Sequence, residues 1–224
     1  MAQISAMFAV PVVFAKHPAP GPLNAALKSL FLEREKQGKA AANPTPFVAR
    51  NEAVFESRFN LFDWPDTPVQ ALRTFCWQEL YAAIRELNGY DLDTLKRLEI
   101  ANDAWFHITR RGGFFAMHNH AMASWSGVYC VDPGQDDGSY AESGQLTFLH
   151  PNPHVSMFMD RAISHLRPPY HYGNRGYSLT AGDLILFPSW LLHEVRPFIG
   201  EGERITVAFN CWFRYRDPNP PAVR

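Results

Sequence analysis

The apolar positions of this chain change their period near residue 104. Upstream, Leu23, Leu27, Leu30 and Phe31 recur at three- and four-residue spacing and the run stops at Gly38, so the pattern predicts a helix over 23–37. A second helix is expected from Thr67, a cap candidate followed by Pro68, to Gly89, with Leu72, Phe75, Cys76, Leu80 and Ile84 on one side. The intervening stretch 40–65 is broken by Pro44, Pro46 and Pro65 and reads as extended loop, anchored by Phe55, Phe59, Leu61 and Phe62. Ahead of both helices, Phe8, Val10, Val12 and Phe14 alternate, which suits a buried first strand or edge segment. That stretch contains Pro11, follows no basic residue and is too short to cross a bilayer, so it is not read as a signal and a cytoplasmic location is expected.

Downstream, short alternating or continuous apolar runs are separated by Gly, Pro and Asp clusters. They predict strands at 105–109, 114–118, 126–131, 145–149, 176–179, 184–187, 193–198 and 204–214, with one helical interruption around 155–165. Eight strands at this spacing suit a sandwich or barrel, and amphipathic helices must bury their faces against something. The expectation is one domain over 1–224: a helical and extended support over 1–103, a β-barrel core over 104–215 and a tail over 216–224.

Composition narrows the function. Apolar residues make up 46% of 224 positions, enough for one sizeable core. Lys plus Arg total 21 against 22 Asp plus Glu, and a net charge of -1 gives no electrostatic reason to bind nucleic acid or an anionic membrane. The 17 Phe, 6 Trp and 18 Pro suit a β-rich domain with many turns. Cys76, Cys130 and Cys211 are too few and too scattered to staple a secreted domain and are read as reduced thiols.

Among nine histidines, His118 and His120 stand at i and i+2, which on a strand points both imidazoles to one face. With His193, 73 residues after His120, they could share one metal ion; taken alone, the pair is weak evidence and fits two solvent-facing or core histidines better. The context of His193 adds to this. Gly182-Asp183 leads into Leu184-Ile185-Leu186-Phe187-Pro188-Ser189-Trp190-Leu191, then His193 and Val195, and Arg204-Ile205-Thr206 follows a Gly-Glu turn. This order, with Ser126-Gly127-Val128-Tyr129 shortly after the first histidine pair, resembles the 2-oxoglutarate/Fe(II)-dependent oxygenase superfamily, and within it a bacterial and phage subfamily.

The resemblance implies a mainly β fold, a double-stranded β-helix of jelly-roll or cupin-like type with buttressing N-terminal helices. It implies Fe(II) held by His118, His120 and His193, 2-oxoglutarate as cosubstrate, and hydroxylation of a small or amino-acid-like molecule with release of succinate and CO2. Arg204, eleven residues past His193, would hold the far carboxylate of 2-oxoglutarate by a two-pronged bond, with Thr206 adding a hydroxyl. Taken alone, Arg204 would read as a surface arginine at a hairpin end. Tyr129 and Asn210 are further candidates to bind the cosubstrate, against structural roles for both. Trp105, Trp125, Trp190 and Trp212 are read as core, and His107, His150, His154, His165 and His171 receive no role. Glu194 adjoins His193 and faces away from it.

One departure stands out: the superfamily keeps a carboxylate where this chain has His120. Either three imidazoles bind the metal, or Asp136, Asp137 or Glu142 supplies the acid, or the iron site is altered. Halogenating relatives keep that position small for a halide, which His120 would fill. The rival reading is a non-oxidative cupin-like metal module or a zinc hydrolase-like site of three histidines. Either way the expected partner is a small molecule; the oligomeric state is open, a homodimer included.

Overall fold

Two long strands set the architecture. In the computed structural model, which describes residues 2–216, β3 (Leu98–Thr109) and β12 (Arg204–Tyr215) pair antiparallel in unbroken register from Arg204 opposite Thr109 to Tyr215 opposite Leu98. β12 also pairs with β5 (Trp125–Asp132), β5 with β9 (Asp183–Pro188), and the edges are β1 (Val13–Lys16) beside β9 and β2 (Val54–Glu56) beside β3. This gives a six-stranded sheet. Facing it is a four-stranded sheet in the order β4 (Phe115–His118), β10 (His193–Val195), β7 (Leu146–Phe148) and β8 (Arg175–Tyr177). A short ribbon of β6 (Gln135–Asp136) and β11 (Gly200–Glu201) joins one end, and the whole is a double-stranded β-helix.

The large sheet is covered on both faces, so its central strands read as nearly continuous apolar runs instead of alternating ones. Ile205, Val207, Phe209 and Cys211 pack into a core shared with the helices α1 (Pro20–Glu35) and α2 (Thr67–Asn88). Arg204, Thr206, Ala208 and Asn210, the alternate positions of the same strand, turn toward the second sheet and line a cavity. α1 buries Leu27 and Phe31, and Phe31 stacks on Phe106 of β3 with ring centroids 4.2 Å apart and planes 3° apart. Gly127 belongs to this packing: a Cβ there would come within 2.2 Å of the Phe209 ring. No helix among the described residues is long and apolar enough to cross a membrane.

Several expected elements shift. The first strand is an edge strand starting at Val13: Val13 and Ala15 pack on the helix-side core, Val10 and Val12 pack on the second core cluster as expected, but Phe14 is 56% exposed and turns onto Tyr177, and Phe8 is 96% exposed. Register with β9, not local alternation, decides which side chains go in. The expected loop over 40–65 contains β2, and β3 begins at Leu98, ahead of the period change at 104. Thr67 is the first residue of α2 and not its cap; Asp66 precedes it, and Gly89 ends the helix at φ 65°. A short third helix, α3 (Leu92–Lys96), had no counterpart in the pattern. Over 155–165 there is no α-helix, only a 3-10 turn at Pro153–Ser156 and further turns. The strand at His193 ends at Val195, two residues before Pro197, which has no amide hydrogen to donate. Trp190 is 51% exposed and is not core. Apart from Arg216, the expected tail lies outside the described residues.

Replacing Phe31 by Ala removes the ring that joins α1 to the sheet and is expected to cost about 3–5 kcal/mol, measured as a shift in urea midpoint with unchanged slope.

Candidate functional site

The imidazoles meet because the second sheet pairs their strands. His193 opens β10 and lies directly opposite His118, the last residue of β4. His120 lies just beyond the end of β4, where its backbone N–H donates to Ser189 O at 2.9 Å and so ties it to the turn that precedes His193. Ring centroids are 4.3 Å apart for His118 and His193, 5.1 Å for His118 and His120, and 5.2 Å for His120 and His193. One ring nitrogen from each lies within 4.8 Å of the other two.

Their second nitrogens fix the tautomers. His118 Nδ1 lies 2.7 Å from Ala116 O and His193 Nδ1 lies 2.9 Å from Leu191 O. A carbonyl can only accept, so Nδ1 carries the hydrogen in both rings and Nε2 keeps its lone pair. Burial pushes the His193 pKa down to about 3 and that of His120 to about 4, with neighbouring imidazoles adding to both, and burial lowers His118 as well. All three rings are therefore neutral at pH 7, the state a metal ion requires, and a set of three imidazoles suits a divalent transition ion. No Asp or Glu joins this cluster among the described residues. The loop acids are engaged elsewhere: Asp137 pairs with Arg111 at 2.8 Å, Glu142 with Arg196 at 3.3 Å, and Asp136 is exposed on β6.

Arg204 lines the same cavity, of about 170 Å³. It is 5% exposed, yet its guanidinium makes no hydrogen bond or ion pair among the described residues, and burial pulls its pKa down. Gly144, at φ 60°, passes so close that a Cβ would sit 2.9 Å from Arg204 Cδ, so the loop needs glycine to leave the side chain room. Thr206 stands two residues on, buried and on the same face. Opposite Arg204, the Thr109 hydroxyl is buried without a partner. A buried cation without a counter-ion, facing a cavity, has the chemistry to hold an anion.

Two candidates fall elsewhere. Tyr129 pairs with Val207, on the helix side of the sheet, and its hydroxyl donates to Asn24 Oδ1 of α1 at 2.7 Å; it cannot touch a ligand in the cavity. Asn210 does face the cavity but accepts from Ser126 Oγ at 2.7 Å and lies six residues from Arg204 along β12, roughly 20 Å, beyond the reach of a five-carbon dicarboxylate held there. Residues expected to be core or given no role also border the cavity. Trp105 and Trp212 line the cavity, as do Asp103 and His107, the latter largely buried and 3.0 Å from Glu56, whose carboxylate also contacts Arg50 and Asn43. Strand parity from Trp105 would have placed Asp103, His107 and Thr109 on one face; Glu56 lay in a segment with no strand signal.

Residues 103–210, a little under half of the chain, match the family described as "Putative 2OG-Fe(II) oxygenase". No curated protein matches the chain. Among solved structures, a Pseudomonas putida prolyl-4-hydroxylase superposes with a TM-score of 0.58 at 19% identity over 93% of this chain and 94% of that one. HygX from Streptomyces hygroscopicus, solved with nickel, 2-oxoglutarate and hygromycin B bound, gives 0.56 at 13% identity over 91% and 83%. SnoK, a carbocyclase from nogalamycin biosynthesis, gives 0.60 at 12% identity over 93% and 83%. At these identities the likeness establishes the fold.

The neutral histidines give a pH dependence of known sign. Unfolded histidine titrates near 6.5, whereas His193 and His120 in the fold wait until about 3 and about 4. As pH falls the unfolded chain takes up protons first, so the metal-free protein should lose stability steadily from about pH 6.5 to 4 and be indifferent to these groups above about 7. Denaturation of metal-free protein across that range should show a shallower loss for His120→Asn; an identical slope would mean that His120 is not held neutral.

Proposed function

We propose that this chain, whose residues 103–210 match the model of a 2OG-Fe(II) oxygenase family, is a single cytoplasmic oxygenase domain of that superfamily that holds Fe(II) on His118, His120 and His193 and 2-oxoglutarate on Arg204. The observation that carries this is the pairing, in one cavity, of three neutral imidazoles with a buried guanidinium that has no anion of its own. With iron and cosubstrate bound, the chemistry supplied is coupled oxidation by O2 of 2-oxoglutarate, to succinate and CO2, and of an organic substrate.

The chain's own part is to bind, orient and exclude water. Ala116 O and Leu191 O hold the His118 and His193 rings in one tautomer, and the backbone bond from His120 to Ser189 O sets the third ring beside them. Arg204 offers a planar two-pronged donor to a carboxylate, with Thr206 two residues on along the same cavity face. Three neutral ligands in place of two and a carboxylate leave the centre one unit more positive, which favours a dianionic cosubstrate. The oxidative outcome we favour is hydroxylation of a small or amino-acid-like molecule. A zinc hydrolase reading would use the same histidines but leaves the buried Arg204 without purpose.

Arg204→Ala should raise the 2-oxoglutarate concentration for half-maximal succinate release by roughly 10- to 100-fold, with Arg204→Lys in between because it keeps the charge and loses the fork. Unchanged dependence in the Ala variant would end the assignment. His120→Ala should copurify with far less iron than the parent; full occupancy would remove His120 from the ligand set.

A further inference from the structure

The cavity face of the β3–β12 pair carries opposite charges at its two ends. Arg204 and Thr109 are register partners at one end; six residues along, Asp103 and Asn210 are partners at the other, roughly 20 Å away. Between them stand Thr206 with His107, and then Ala208 with Trp105, whose ring lies 5.9 Å from that of His120. With a cosubstrate on Arg204 filling one end, the Asp103 end is the part of this face left for a substrate.

Asp103 is half-buried and has no hydrogen bond or ion pair among the described residues. Burial raises its pKa, and the nearest charge acting on it is another carboxylate, Asp63, which raises it further. Its register partner is Asn210, and rings stand in the cavity wall beside it. Phe59 is stacked on Trp105 with centroids 4.3 Å apart and planes 23° apart, and Trp212 is fixed by a bond from its indole N–H to Met122 O. Phe47 and Met122 complete the rim, both well exposed.

We propose that this mouth selects a substrate bearing an organic cation, an ammonium or guanidinium group, with Asp103 as counter-ion and Phe59, Trp105 and Trp212 as the ring faces around it. The proposal rests on the reading that 2-oxoglutarate fills the Arg204 end. A cation among π faces gains from each ring, and here it also supplies the charge that Asp103 lacks. A neutral or anionic substrate would leave that carboxylate half-desolvated and unpaired, so the site discriminates against it.

The test is binding to iron-loaded protein with 2-oxoglutarate under anaerobic conditions, where nothing turns over. The probes are N-acetyl-argininamide against its neutral isostere N-acetyl-citrullinamide, and N-acetyl-lysinamide against N-acetyl-norleucinamide, followed by tryptophan fluorescence and calorimetry. At least one cationic probe is expected to bind tenfold or more tightly than its neutral counterpart, and the advantage should fall below about threefold in Asp103→Asn, which keeps size and shape. Equal affinities within both pairs, or an unchanged advantage in Asp103→Asn, would overturn the proposal. Should that variant not fold, the parent's cation advantage must shrink as salt rises from 20 to 500 mM, and a salt-independent advantage overturns it instead. In Arg204→Ala the cation preference should survive. If that variant keeps both the preference and the normal 2-oxoglutarate dependence, the cosubstrate assignment fails while the cation site stands.

Discussion

Everything in this molecule hangs on one antiparallel pairing, the twelve-residue register between β3 and β12. Side chains alternate across a strand, so a fixed register assigns every residue of both strands to one of two faces. The odd-numbered positions Ile205, Val207, Phe209 and Cys211 meet the helices and supply the cohesion of the core. The even-numbered positions carry the chemistry. A slip of one residue would put Arg204 into an apolar core and an isoleucine into the cavity, so stability and function enforce the same register.

The site itself is assembled from groups that are costly to bury and that the fold leaves incomplete. Arg204 is buried at the cavity wall without an anion, Thr109 keeps an unpaired hydroxyl, and the three imidazoles are held uncharged by burial. These groups have the chemistry to take up a divalent ion and, at Arg204, an anion. Rigid support surrounds them: Glu56 is locked by Arg50 and Asn43, Ser126 bridges Asn210 and Ser189, and Phe59 lies flat on Trp105. A site fixed this firmly on strands needs little rearrangement when its ligands arrive.

The fold carries several chemistries among its structural relatives, which include a hydroxylase and a carbocyclase. A shared fold does not fix a shared reaction, which depends on the residues lining each cavity. In this chain the mouth combines rings from β3, β12 and the segment before α2 with a solitary carboxylate.

Much of this was legible in the residues themselves. Helical spacing found α1 and α2, the change of period found the β half, and the order of His118, His120, His193 and Arg204 pointed to the superfamily, because those signals are local or lie in short motifs. The sequence could not show what depends on pairing between distant segments. Whether Phe14 or Val13 points inward is decided by β9; whether Tyr129 faces a ligand or Asn24 is decided by its register with Val207; and β2, at only three residues, exists because β3 offers it an edge. The same holds for Glu56 and Asp103, which become part of a cavity wall only once strands far apart in the chain are hydrogen-bonded side by side. A chain's composition and period mark most of the segments that become strands. Only the tertiary register decides which face each side chain takes, since a shift of one residue reverses them all.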